Sequence, residues 1–189
     1  MIARVVVHQR LVGLGLLLAV CVCACKKNAT PPPAPDWRFE PKAIQITYIA
    51  DPMLNAYDGS AHATVLAIYQ LTDINSFNNL AQSTEGLQKL LQAQPYDATV
   101  AAANRFFVQP GERNTLTLAR AKSAQWVGVV AGYYQLTPGV VTRLLSIPVL
   151  IEHHGKIFKK TSARVDHLSV HLFLGPRAPQ EIDPYDELE

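Results

Sequence analysis

This sequence has few cysteines and little net charge. Its three cysteines, Cys21, Cys23 and Cys25, all lie near the N-terminus, so the rest of the chain cannot form a disulfide. A folded domain there must be stabilised by its apolar core. The 17 basic and 15 acidic residues nearly balance, which gives no indication of a nucleic-acid surface.

Catalytic and metal-binding signatures are also missing. Downstream of Cys25 the chain has no GxSxG, HExxH, phosphate-binding glycine loop or CxxC pair. The adjacent His153 and His154 point to opposite faces of a strand and suit a polar hairpin tip. His167 and His171 would lie roughly 13 Å apart along a strand. We therefore expect no catalytic residue, no metal site and no cofactor.

The N-terminal segment has the pattern of a bacterial lipoprotein signal peptide. Arg4 and Arg10 precede an apolar run over Leu11–Val22, and the small residue Ala24 stands before Cys25. The other two cysteines follow valines, which suit a signal peptidase less well. The apolar run is shorter than the about 20 residues that span a bilayer. We predict that residues 1–24 are removed and that Cys25 is acylated.

Proline and acidic residues mark the two ends of the mature chain. Residues 25–36 are predicted to be the lipidated cysteine with a proline-rich tether, in which ten extended residues reach roughly 30 Å. Residues 37–175 are predicted to form one domain. Residues 176–189 include five acidic side chains: Glu181, Asp183, Asp186, Glu187 and Glu189. We predict that these residues form a flexible acidic tail; the alternative is that the tail docks on a basic patch of a partner.

Alternating apolar residues predict a mainly β fold. Ala43–Ala50 and Ala61–Leu71 read as the first two strands. A short helical insertion follows: a turn that Ser76 caps, then a helix over Ser83–Gln92 with Ser83 or Thr84 as its N-cap. Further strands are predicted at Asn104–Val108, Asn114–Leu118, Gln125–Tyr134, Arg143–Ile151, Lys156–Lys160 and Val165–Leu174. Together with the first two, they predict an antiparallel sandwich of about seven or eight strands. The turn Gln109–Glu112 predicts a hairpin.

The first loop, Asp51–Ser60, combines turn residues with apolar ones. Met53, Leu54 and Tyr57 fit either core packing or an exposed surface that contacts another protein. Asp51 and Asp58 match no calcium-loop spacing, so a metal role is not predicted.

Motifs spread along the chain resemble a known family, the TssJ outer-membrane lipoproteins of the bacterial type VI secretion system. The resemblance covers residues 25–174. Its carriers are Cys25, Ala50-Asp51-Pro52 with Leu54-Asn55, Tyr69-Gln70-Leu71, Phe77, Pro110-Gly111-Glu112, and Trp126–Ala131 with Tyr133.

The resemblance implies a transthyretin-like β-sandwich without enzymatic activity. It implies a lipid anchor in the inner leaflet of the outer membrane, facing the periplasm. It also implies binding to the periplasmic C-terminal domain of TssM, with TssL in the same membrane complex. Lys26-Lys27, with no aspartate after Cys25, fits the outer membrane. The contact residues that it implies are those of the first loop: Asp51, Pro52, Met53, Leu54, Asn55, Ala56, Tyr57, Asp58, Gly59 and Ser60.

Two features depart from the family pattern, and one alternative function stays open. Thr142-Arg143 stands where family members often have Trp-Arg, and the acidic tail has no counterpart. The alternative is a periplasmic solute- or glycan-binding lipoprotein, in which Trp126, Tyr133 and Tyr134 line a site at one end of the sandwich.

Overall fold

The structure, a computed structural model, describes residues 33–154 and 160–181. The predicted signal peptide, Cys25, most of the tether, most of the predicted Lys156–Lys160 strand and residues 182–189 lie outside these ranges. The described elements are β1 (Glu40–Ala50), β2 (Thr64–Leu71), α1 (Asn75–Ala81), α2 (Thr84–Leu90), β3 (Val100–Val108), β4 (Arg113–Arg120), β5 (Trp126–Ala131), β6 (Thr142–Ser146), β7 (Val149–His154), β8 (Lys160–Val165), β9 (Leu168–Leu174) and β10 (Pro179–Glu181).

Two four-stranded sheets enclose one apolar core. The strand orders are β10-β9-β1-β4 and β3-β2-β5-β6, and β7 and β8 form a separate two-stranded ribbon. All pairs are antiparallel except β1 with β9. The mainly β, largely antiparallel sandwich predicted from the sequence is confirmed: within the described ranges its two sheets contain eight strands, and the ribbon adds two more.

β1 shows why alternation identifies a sheet that is covered on one side. Ile44, Ile46 and Tyr48 are buried in the core, as predicted. The side chain of Thr47 points away from it, and its hydroxyl lies 3.1 Å from that of Thr115 on β4. The core-facing side of β1 is therefore apolar, whereas its other side carries polar residues such as Gln45 and Thr47.

β2 lacks alternation because both of its faces are covered. The helical insertion packs on the face of β2 turned away from the other sheet, where the Tyr69 hydroxyl donates a 2.6 Å hydrogen bond to the carbonyl of Leu90. The Phe77 ring lies so close to Gly128 of β5 that a Cβ atom there would stand 2.6 Å from it. Ser83 is the N-cap of α2, accepting from the amide of Gly86 at 3.0 Å. Ser76 caps nothing; it lies within α1.

The predicted hairpin at Gln109–Glu112 is wrong, although its turn is present. Gly111 has a φ of +74°, and the amide of Glu112 donates to the carbonyl of Gln109 at 3.1 Å. β3, however, pairs with β2, and β4 pairs with β1 in the other sheet. The turn fixes a local reversal, whereas the apolar faces of the strands decide which sheet each one joins.

Three predicted boundaries are corrected. The segment Arg143–Ile151 is two strands, because Pro148 has no amide hydrogen to continue a ladder. Val165–Leu174 is also two strands: Val165 pairs with Val149 in the ribbon, and β9 begins three residues later. Pro179–Glu181, assigned from sequence to the acidic tail, form β10 and pair with β9.

We name the two ends of the sandwich by the chain segments that lie there. We call the end at Glu40, where the chain enters β1, the entry end; Arg120 and the first residue of β9 lie there as well. We call the end at Ala50 the loop end. The first loop, the β3–β4 turn and the segment after β5 meet at the loop end.

Candidate interaction surface

The first loop begins with a rigid turn built around Asp51. The Asp51 carboxylate accepts from the amide of Met53 at 2.6 Å, and its carbonyl accepts from the amide of Leu54 at 2.8 Å. The Leu54 side chain is completely buried in the core. This anchor turns Met53 outward, where it is 42% exposed.

Asn55 ties the loop to two neighbouring segments from inside. Its side chain is buried, donates to the carbonyl of Ala63 at 3.2 Å and accepts from the amide of Tyr134 at 2.6 Å. Its φ of +51° is a conformation that asparagine tolerates better than most residues. One amide side chain thus satisfies two backbone groups of different loops.

The tip of the loop is a two-residue hairpin. Tyr57 and Ser60 exchange backbone hydrogen bonds of 2.9 and 3.0 Å. Asp58 and Gly59 between them have φ values of +50° and +75°, the conformation that Asp-Gly favours in such a turn. The tip is therefore ordered by its own sequence.

Tyr57 at this tip stacks on Tyr134, which follows β5. The ring centroids are 3.9 Å apart and the planes differ by 4°. The two rings remain 51% and 60% exposed on their outer sides. The loop end therefore exposes three large apolar side chains: this tyrosine pair and Met53 of the same loop.

The segment after β9 completes this surface. The amide of Ala56 donates to the carbonyl of Pro176 at 2.8 Å. A cleft of about 310 Å³ lies between the tyrosine pair, Pro176 and Arg177. Tyr133 lines its floor with its hydroxyl buried, and burial raises the pKa of that hydroxyl.

The ten residues predicted in the first loop divide into two groups. Leu54 and Asn55 are buried and hold the loop in place, and Asp51 and Ala56 are half-buried. The exposed members are Pro52, Met53, Tyr57, Asp58, Gly59 and Ser60. The sequence did not indicate that Tyr134, Pro176 and Arg177 would join them, because only the fold brings these segments together.

Only part of the arrangement predicted for a glycan site is present, because Tyr133 and Tyr134 line the cleft at the loop end and Trp126 does not. Tyr133 is buried, and Trp126 pairs with Leu71 at the opposite end of β5 from Tyr134. The facing rings of Tyr57 and Tyr134 also leave no space for a sugar between them.

The described residues contain no cluster of candidate metal ligands and no helix that could cross a membrane. Residues 33–154 and 160–181 contain no group of three or more His, Cys, Asp or Glu side chains that could hold a metal ion. In the same ranges, neither helix has the length and apolarity needed to cross a bilayer.

Comparison with known proteins places the chain in a family. A family model described as Type VI secretion lipoprotein, VasD, EvfM, TssJ matches residues 42–166, which is more than half of the chain. No curated protein sequence matches significantly.

Solved structures share the fold at low sequence identity. Serratia marcescens Lip, described as a membrane-bound component of the type VI secretion system, is 19% identical with a TM-score of 0.57; the match covers 75% of this chain and 97% of Lip. TssJ1 from Pseudomonas aeruginosa is 21% identical with a TM-score of 0.54, over 75% and 95% of the two chains. A chain of a structure described as the TssM C-terminal domain from EAEC is 15% identical with a TM-score of 0.55, over 74% and 97%.

The match to the family model runs from β1 through β8, including the first loop and the helical insertion, and ends before β9. The protein therefore belongs to the TssJ family of type VI secretion lipoproteins, which are structural components of the secretion membrane complex and not enzymes.

Proposed function

We propose that this protein is an outer-membrane lipoprotein that binds the periplasmic C-terminal domain of TssM through its loop end. TssL belongs to the same membrane complex in this proposal. The observation that carries it is the set of exposed apolar side chains at the loop end: Met53 and Tyr57 of the first loop, and Tyr134 of the segment to which Asn55 ties that loop. Methionine and tyrosine are enriched in interface cores.

Rigidity of the loop supports a binding role. Leu54 is buried, Asn55 bridges two backbone groups, and the tip is closed by two hydrogen bonds. A surface that is ordered before binding loses little conformational entropy when a partner docks. The loop end is therefore suited to specific contact without prior folding.

The anchor in this proposal is the acylated Cys25. A single acyl chain binds a membrane weakly, but each buried CH₂ adds about 0.8 kcal/mol, so two or three chains hold the protein firmly. Lys26-Lys27 after the cysteine fit sorting to the inner leaflet of the outer membrane.

Binding to TssM is tested with a non-acylated chain, residues 25–189 carrying Cys25→Ser. We expect it to bind the purified TssM periplasmic domain in calorimetry. Met53→Glu and Tyr57→Glu should each raise Kd by about tenfold or more, because a charge would be buried in the interface core. Ile151→Glu serves as the matched control, since Ile151 is similarly exposed (45%) but lies in the ribbon. Equal affinity for all four chains would place the interface elsewhere.

The anchor and the complex are tested in cells. Cys25→Ser should abolish type VI secretion and leave the domain folded, as judged by circular dichroism. TssL should co-purify with the protein only when TssM is present. Normal secretion by Cys25→Ser, or recovery of TssL without TssM, would contradict the proposal.

A further inference from the structure

The entry end carries exposed apolar side chains that the proposed function does not use. Phe39, just before β1, is 61% exposed. Val149, Leu150 and Ile151 are 37%, 39% and 45% exposed in β7. Within the described ranges, β7 and β8 pair only with each other, so these β7 residues belong to neither sheet of the sandwich.

Phe39 and the ribbon belong to the same end of the molecule. The base of the ribbon is closed by a 2.8 Å hydrogen bond from the amide of Asp166 to the carbonyl of Pro148. The next residue, His167, places its Nε2 3.1 Å from Oε1 of Glu40, at the start of β1. A cleft of about 330 Å³ lies between the Asp36–Glu40 segment and residues 163–165 of β8.

The charges around these apolar residues leave a small positive excess. Asp36 is paired with Arg38 at 2.9 Å, Glu40 with the buried Arg120 at 2.7 Å, and Asp166 with Arg164 at 3.5 Å. Glu152 of the ribbon also pairs with Arg164, at 3.5 Å. The exposed Lys42 and Lys122 form no ion pair among the described residues. Phe39 and the exposed Lys122 line the same cleft, so a cation without an ion pair in the described ranges lies beside this apolar side chain, which favours contact with an anionic phospholipid surface.

Chain connectivity brings this end within reach of a membrane. Asp36 follows Cys25 by eleven residues, which span at most about 34 Å in an extended proline-rich conformation. If Cys25 is acylated, as the proposed function requires, the entry end can rest on the lipid surface. We propose that Phe39 and the β7–β8 ribbon form a second, reversible membrane contact on the phospholipid leaflet that holds the anchor.

Such a contact would set the orientation of the whole domain. β1 runs from the entry end to the loop end, and its eleven residues span roughly 33 Å. With the entry end on the membrane, the loop end points into the periplasm. The tether then limits how far the domain can leave the surface, and the second contact directs the loop end toward a partner.

The test is a vesicle flotation assay with the same Cys25→Ser chain, which has no acyl group. Vesicles contain phosphatidylethanolamine and phosphatidylglycerol at about 3:1, a weakly anionic surface. We expect the protein to float with the vesicles. Phe39→Glu and Ile151→Glu should each lower the partition coefficient by at least about fivefold, since each removes one large apolar side chain from the contact.

Phe107→Glu is the matched control. Phe107 is 65% exposed on β3, two residues before the Gln109–Glu112 turn at the loop end, so the same substitution there should leave flotation unchanged. Circular dichroism checks that each variant is folded. A Cys25→Ser chain that stays unbound at millimolar lipid, or an equal loss with Phe107→Glu, would overturn the proposal.

Two further outcomes separate this contact from its rivals. The ribbon could instead join two copies of the chain. In that case the Cys25→Ser protein will be a dimer without lipid, and its Ile151→Glu variant will be a monomer. That result would also overturn the proposal. Phe39→Glu and Ile151→Glu should bind TssM with unchanged Kd, and Met53→Glu should float normally. Failure of TssM binding therefore leaves the membrane contact independently measurable.

Discussion

Asn55 is the residue on which the order of the loop end depends most. Replacing it with alanine leaves the amide of Tyr134 and the carbonyl of Ala63 without their partner, and each unmade buried hydrogen bond costs about 1–3 kcal/mol. We expect Asn55→Ala to lower the free energy of unfolding by at least about 2 kcal/mol, measured in urea. Asn55→Gly removes the same two hydrogen bonds but relieves any strain from the positive φ, because glycine adopts that conformation freely. The difference between the two variants therefore measures the strain, and the loss in Asn55→Gly measures the hydrogen bonds. A loss no greater than that of the exposed Asn79→Ala would contradict this role.

The Tyr48 hydroxyl and the Glu112 carboxylate make a pH-dependent link between β1 and the β3–β4 turn. Their 2.5 Å hydrogen bond holds the pKa of Glu112 below its usual value, and burial raises the pKa of Tyr48 to about 12. A lowered carboxyl pKa adds stability above the unfolded pKa and loses it as the pH falls through the folded pKa. Tyr48→Phe should therefore cost about 1–2 kcal/mol at pH 7 and less at pH 3. Urea unfolding at both pH values measures this, and an equal loss at the two would exclude the link.

At the scale of elements, the helical insertion depends on one close approach. A Cβ atom at residue 128 would stand 2.6 Å from the buried Phe77 ring, so Gly128→Ala must displace α1 or β5. We expect a loss of about 1–3 kcal/mol in thermal unfolding. Phe77→Leu in the same chain should recover part of it, because leucine leaves room for the added methyl group. If the double variant loses the simple sum of both single losses, the two sites are not in contact.

Local chemistry in the sequence predicted the elements better than their partners. Alternation in β1 and the cap at Ser83 are properties of a few adjacent residues, and both are confirmed. The β3–β4 hairpin was wrong because Pro110-Gly111 specifies only a reversal, while each strand pairs according to the face it buries. The break at Pro148 was visible in the sequence, since proline cannot donate to a ladder, but the apolar run around it suggested continuity.

The candidate site was predictable only in part for the same reason. The first loop was recognisable because Met53, Leu54 and Tyr57 stand among turn residues. Sequence could not tell that Leu54 points inward and Met53 outward, since that depends on the turn that Asp51 makes. Tyr134 and Pro176 join the surface through contacts across about 80 to 120 residues of chain, and no local pattern encodes those contacts.

At the scale of the whole molecule, the positions of the two ends determine how long the tether must be. If the entry end itself contacts lipid, the tether must be long enough to permit that contact but need not hold the domain away from the membrane. Deletion of residues 30–34 shortens its reach by about 15 Å. We expect type VI secretion to stay within about twofold of normal in this deletion, because confinement near the surface is preserved. A Gly/Ser replacement of the same five residues keeps the length and controls for their identity. Secretion that fails in the deletion and persists in the replacement would show that the tether is a spacer, and the entry end would then not rest on the membrane.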